Sequence, residues 1–110
     1  MAYDEVLADR IREIVEGESG LTEKRMFGGL AFLVGGNMAV AASSASDLLL
    51  RVDPAESEAL TAHEHVRRMV MRGREMDGWL RVDTVALSDD ADLRGWVARG
   101  LAFARSLPAK

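Results

Sequence analysis

The sequence of 110 residues contains no cysteine. This absence excludes disulfide bonds, zinc sites built on thiolates and cysteine nucleophiles, and it fits a reducing compartment. The fold must therefore be held together by packing, and a chain of this length with 48% apolar residues can supply one core. We expect a single domain over residues 1–110.

Long hydrophobic runs are also missing. The most apolar segment, Gly28 to Ala42, is interrupted by Gly35-Gly36-Asn37 and is shorter than the roughly 20 residues that a membrane-spanning helix needs. The first five residues include Asp4 and Glu5, whereas a secretory signal begins with basic residues. We expect a cytoplasmic protein that does not enter a membrane.

Basic residues are fewer than acidic ones. The sequence has 14 Lys and Arg residues and 18 Asp and Glu residues, which gives a net charge of -4. A phosphate backbone repels such a molecule unless its cations are clustered on one surface. The net charge therefore argues against nucleic acid as the partner.

Two amphipathic helices are predicted, one near each end of the chain. Asp4 can cap the first helix, and Asp89, Asp90 and Asp92 suit the positive end of the dipole of the last one. Gly100 falls on the buried stripe of the last helix, so we expect it to allow close approach to a sheet. The apolar stripes are Leu7, Ile11, Ile14 and Val15, and Leu93, Trp96, Val97, Gly100, Leu101 and Ala104.

Between these helices the pattern is that of short strands. Thr22–Phe27, Leu30–Val34 and Met38–Ala42 are separated by glycine pairs and predict a β-meander, which Leu48–Val52 extends. Both alternating faces of Leu30–Val34 are apolar, so this strand should be covered on both sides, by helices or by a second subunit.

The rest of the middle region predicts a short helix and a strand pair. Asp53-Pro54-Ala55-Glu56 is a helix-start signal for a helix that ends near Ala62. Val66 to Arg72 and Gly78 to Val82 predict two strands around a connection over residues 73–77. The order of elements indicates an α+β fold.

Candidate catalytic and metal-binding groups are few. In an extended segment the imidazoles of His63 and His65 would point the same way, as two metal ligands could, but no third ligand has a recognisable spacing. We interpret this pair as part of a solvated loop. The glycines before and after Leu30–Val34 lack the Gly-Lys-Ser/Thr of a phosphate loop. We therefore expect no cofactor, no metal and no enzymatic activity.

The stretch Val66 to Arg74 contains four arginines and no acid. Its mixed faces are typical of an edge strand, where arginines discourage stray pairing. The functional alternative is a surface for an acidic partner, assisted by Trp79 and Arg81, which would share a face of the adjacent strand. The candidate partner-binding residues are Arg67, Arg68, Arg72, Arg74, Trp79 and Arg81.

Three motifs together resemble the N-terminal domain of the TfoX/Sxy family of competence regulators. They are Lys24 to Phe32, including Met26-Phe27-Gly28-Gly29, then Gly36-Asn37-Met38, and then Leu49 to Val52. The segment Gly73-Arg74-Glu75-Met76-Asp77-Gly78-Trp79 and the closing helix that ends at Leu107-Pro108 also agree with that family.

The resemblance implies a bent antiparallel β-sheet flanked by an N-terminal and a C-terminal helix, similar to secretion-chaperone-like folds, which bind proteins and often dimerise. It implies a stand-alone version of the domain, without the C-terminal domain that full-length transcriptional coregulators carry. We expect a non-catalytic protein-binding or regulatory domain, with a homodimer as one possible state. The alternative is direct nucleic-acid binding through Arg67–Arg74, assisted by Lys24 and Arg25.

Overall fold

The structure is a computed structural model that describes residues 3–26 and 28–109. Phe27, the predicted last residue of the first strand, lies outside this part. None of the described helices is both long and apolar enough to cross a membrane. The helices are α1 (Glu5–Val15), α2 (Ser57–Thr61) and α3 (Asp90–Ser106), and the strands are β1 (Leu21–Met26), β2 (Gly29–Val34), β3 (Asn37–Ala42), β4 (Leu48–Arg51), β5 (Val66–Met71) and β6 (Arg74–Val82).

The strands form one sheet in the order β1-β2-β3-β4-β6-β5, with every neighbouring pair antiparallel. The bending of the sheet is seen in one cluster of side chains that includes Met69 of the edge strand β5 and is contacted by Met26 of the other edge strand, β1. Register shifts at Phe32/Leu33 and at Arg68/Met69 contribute to this curvature. The structure confirms the predicted α+β fold, a bent antiparallel sheet with helices towards both ends of the chain.

Both long helices begin at an aspartate cap. The Oδ1 atom of Asp4 accepts a hydrogen bond of 3.1 Å from the N–H of Leu7, and Oδ1 of Asp89 accepts one of 2.7 Å from Ala91. Each cap satisfies one of the N–H groups that have no partner within a helix. The predicted helix starts are thus confirmed.

Helices α1 and α3 cover one face of the sheet. Ile11 and Val97 pack in one cluster with Phe32, Leu50 and Leu80 from the strands, and all five are 0% exposed. This cluster, which we call the first core, also contains most of the predicted apolar stripe of α3. The stripes predicted from sequence therefore identify the buried sides of both helices.

The other face of the sheet buries a second, smaller cluster made entirely of strand residues. Met26 and Trp79 pack against it. The second core consists of Ala31, Leu33, Met38, Ala41, Leu49 and Met69, none of which is more than 8% exposed. Strand β2 is thus buried on both faces inside one chain, so its apolar faces require no second subunit.

One local prediction was wrong in detail. The connection between β5 and β6 is the two-residue turn Arg72-Gly73 rather than residues 73–77, since β6 already begins at Arg74. The predicted short helix after Asp53 is confirmed: it starts as a 3-10 helix, Pro54–Glu56, and continues as the α-helix Ser57–Thr61. Polar residues at the tip of a hairpin carry no alternating pattern, which is why β6 was predicted to begin only at Gly78.

Arginine–glutamate pairs join the helices to their surroundings. Arg105 of α3 donates two hydrogen bonds to Glu18, one of them 2.8 Å long, and Arg12 of α1 donates bonds of 2.9 and 3.0 Å to Glu23 on β1. The hydrogen bonds from Arg105 lower the pKa of Glu18, and those from Arg12 lower the pKa of Glu23. Both carboxylates are therefore stabilised in the charged form.

Replacing Arg105 by glutamine should lower the free energy of unfolding at pH 7 by about 0.5 kcal/mol, as is typical of exposed ion pairs. Because the pKa of Glu18 is depressed in the folded state, the contribution is present above the pKa of an unfolded glutamate. The difference between wild type and variant should shrink as the pH falls from about 5 towards 2. Urea unfolding at several pH values measures it, and a difference that persists undiminished at low pH would contradict the assignment.

Candidate functional site

The arginine-rich strand β5 lies at the edge of the sheet and pairs with β6. The edge-strand interpretation is thus confirmed. Arg67 stands opposite Arg81 and Arg68 opposite Leu80, so successive arginines of β5 point to opposite faces of the sheet. The arginines of the basic stretch are therefore divided between the two faces of the sheet.

Arg67 and Arg81 are held by aspartates on the face of the second core. Arg81 donates bonds of 3.0 and 3.2 Å to the carboxylate of Asp47, whose side chain is only 6% exposed. Arg67 contacts Asp47 at 3.4 Å and forms a second ion pair with Asp83. Ser43 also donates a hydrogen bond to Asp47. The positive charge of both arginines is thus largely compensated within the chain.

Arg68 and Trp79 are also engaged. Arg68 donates a bond of 2.8 Å to Asp77 on the face that carries α2, where it also reaches Thr61. Trp79 packs against the second core, and the guanidinium carbon of Arg51 lies 4.9 Å from its ring centroid. Both side chains thus stabilise the region around the hairpin.

The turn of the hairpin carries the uncompensated charge. Arg72 and Arg74 are exposed, and neither belongs to any ion pair found among the described residues. Beside them, Val70 is 60% and Met71 40% exposed. We call Val70, Met71, Arg72 and Arg74 the β5–β6 tip. Glu75, opposite Val70, offsets part of its positive charge.

The turn geometry explains how the tip is presented. Arg72 has φ of 54° and Gly73 φ of 76°, the two left-handed positions of a two-residue hairpin turn. Such a turn matches the twist of the flanking strands and projects its side chains into solvent. A left-handed arginine costs about 1 kcal/mol relative to glycine. The sequence places this charged side chain where asparagine or glycine would be more stable.

The structure therefore does not bring the six predicted partner-binding residues onto one open surface. Arg72 and Arg74 are together at the tip, whereas Arg67, Arg68 and Arg81 are paired with aspartates. The exposure of Val70 and Met71 was missed, because an edge strand of mixed polarity does not show which apolar residues remain uncovered. Asp47 was also missed, since a single aspartate in a serine-rich loop carries no signal.

Lys24 and Arg25, which were predicted to assist nucleic-acid binding, lie on β1, the opposite edge strand. Strand alternation points their side chains to different faces. Neither belongs to an ion pair found in residues 3–26 and 28–109. Three strands, β2, β3 and β4, lie between β1 and the β5–β6 hairpin in the sheet.

The two histidines lie in the loop after α2. Their ring centroids are 5.9 Å apart, and the ring of His63 meets Trp96 of α3 edge-on at 5.7 Å. The N–H of His65 donates a bond of 3.3 Å to Nδ1 of His63. Within the described residues, no group of three or more His, Asp or Glu side chains is placed to hold a metal ion.

Comparison with protein families identifies the family of this chain. The family model described as the TfoX N-terminal domain matches residues 13–104, nearly the whole chain. The chain belongs to the TfoX N-terminal domain family. A search of curated proteins found no match.

In this TfoX N-terminal domain the glycines of the resembling motifs have identifiable steric roles. A Cβ atom on Gly29 would lie 2.1 Å from the carbonyl oxygen of Ala42, so the pairing of β2 and β3 leaves no room for a side chain there. Gly73 supplies one of the two left-handed positions of the hairpin turn. These motif positions therefore shape the sheet and its tip.

Proposed function

We propose that this chain is a non-catalytic, regulatory protein-binding domain that docks an acidic surface of its partner at the β5–β6 tip. The observation that carries this proposal is that Arg72 and Arg74, which form no ion pair with any other described residue, lie next to two exposed apolar side chains. Interfaces commonly combine apolar contact with arginine, whose planar guanidinium binds carboxylates with two hydrogen bonds. The regulatory role is supported by the resemblance to TfoX/Sxy coregulators.

The composition of the tip favours a protein over a nucleic acid. A phosphate backbone is bound by an extended set of cations, and here Arg67, Arg68 and Arg81 are already neutralised by aspartates. Exposed Val70 and Met71 would gain nothing from phosphates, but they can be buried against an apolar protein surface. The net charge of -4 also disfavours nucleic acid.

The experiment is affinity capture from the cytosol of cells that naturally express the chain, with and without nuclease. We expect a protein partner that is retained after nuclease treatment and is lost, by at least about tenfold, with the double variant Arg72→Glu/Arg74→Glu. Quantitative mass spectrometry of the retained proteins measures this. Retention that disappears with nuclease and weakens steeply as salt rises would instead indicate nucleic-acid binding.

Matched variants separate loss of binding from loss of folding. Arg72→Asn removes the charge and suits the left-handed turn, so this variant should be at least as stable as wild type. Arg72→Asn/Arg74→Gln should therefore fold and still lose most of the partner, whereas Arg72→Lys/Arg74→Lys should keep part of it. Full retention of the partner by the neutral variant would refute the role of the tip.

A further inference from the structure

A groove lined by residues outside the β5–β6 tip has no part in the proposed function. It has a volume of about 1020 Å³ and lies between α3, α2, the loop 62–65 and the 3-10 segment Thr84–Leu87. Its apolar lining includes Leu60, Trp96 and Val85, and Val85 is 67% exposed. The residues of α3 that line it span Ala91 to Ala102, which is about three helical turns.

The α3 side of the groove allows another helix to come close. Its lining includes the exposed small residues Ala91, Gly95, Ala98 and Ala102, and a Cβ atom added to Gly95 would meet no heavy atom within 4 Å. Helices with small residues at the contact can pack at the short end of the usual range of interaxial distances. A second helix can therefore pack against α3 in this groove. Which helix fits is decided by the charged residues that line the groove.

Two opposite charges line the groove on either side of Gly95. Asp92 lies three residues before this glycine, and Arg99 lies four residues after it. Neither forms an ion pair with another described residue. The guanidinium carbon of Arg99 lies 5.9 Å from the ring centroid of Trp96, which is itself a lining residue.

This spacing is self-complementary. In two α3 helices that cross antiparallel at Gly95, Asp92 of each copy lies within one residue of Arg99 of the other, about 1.5 Å along the helix axis, which allows two equivalent ion pairs. A parallel arrangement would place like charges together. We propose that the groove is a self-association site in which the α3 helices of two copies of this chain pack antiparallel, crossing at Gly95.

The test is a charge swap, measured by sedimentation equilibrium from about 1 µM to 1 mM protein. Wild type should form dimers in this range. Asp92→Arg sets two arginines against each other at both ends of the contact and should weaken dimerisation at least about tenfold. The double variant Asp92→Arg/Arg99→Asp restores opposite charges and should dimerise within about threefold of wild type.

Glu58→Arg is the matched control, because it makes the same change of charge at an exposed position of α2 that does not line the groove. It should leave dimerisation unchanged, as should Arg72→Asn/Arg74→Gln, so failure of this proposal is distinguishable from failure of the proposed function. Wild type that is monomeric at about 1 mM overturns the proposal and leaves the groove to another partner. A double variant that folds but does not recover dimerisation also overturns it.

Discussion

Replacing Leu49 by alanine should lower the free energy of unfolding by about 3 kcal/mol, within the usual range for a buried leucine. Leu49 is 0% exposed and belongs to the second core. This core consists of strand residues only. The loss combines the removed apolar area with the cavity left behind, since the strands on either side cannot collapse into it. Urea unfolding followed by circular dichroism measures the difference.

The same variant also tests how the second core is closed. Because Leu49 is buried within one chain, its loss should be equally large at low and high protein concentration and in the Asp92→Arg background. A loss that appears only at concentrations where the protein dimerises would show that a partner completes this face. Val70→Ala is the control, since Val70 is 60% exposed and its truncation should cost less than about 0.5 kcal/mol.

Replacing Gly100 by alanine should destabilise the protein by about 2 kcal/mol, although alanine is the better helix former. A Cβ atom on Gly100 would lie 2.4 Å from the carbonyl oxygen of Ala39 and 2.9 Å from Cγ1 of Val40. Helix α3 and strand β3 would have to move apart, and the first core between them would lose packing. This contact confirms the close approach that the sequence predicted at Gly100.

On the same helix, replacing Gly95 by alanine should instead stabilise the protein. A Cβ atom at Gly95 meets nothing within 4 Å, so the variant should gain up to about 1 kcal/mol from helix propensity alone. Thermal unfolding of both variants under one set of conditions gives the comparison. If Gly100→Ala were as stable as Gly95→Ala, α3 would not pack against β3 as closely as the structure shows.

The candidate site was only partly predictable. The arginines of β5 could be interpreted as an edge-strand signature or as a binding surface, and the structure confirms that β5 is an edge strand. Arg67 and Arg68 are neutralised by aspartates that are distant in sequence or lie across the hairpin, whereas the part of the chain that the structure describes offers no ion-pair partner to Arg72 or Arg74. Such pairings depend on where strands meet, which composition does not reveal.

The sequence by itself determined the local structure of this protein. The caps at Asp4 and Asp89, the apolar stripes of α1 and α3 and the glycine-separated strands could all be recognised, because backbone and side-chain periodicity act within a few residues. Only the tertiary structure decided which arginines are held by aspartates and how β2 is covered on its second face. The ion pairs of the arginines depend on which strands and loops meet, and the covering of β2 depends on the bending of the sheet, which brings side chains from its two edges into one cluster.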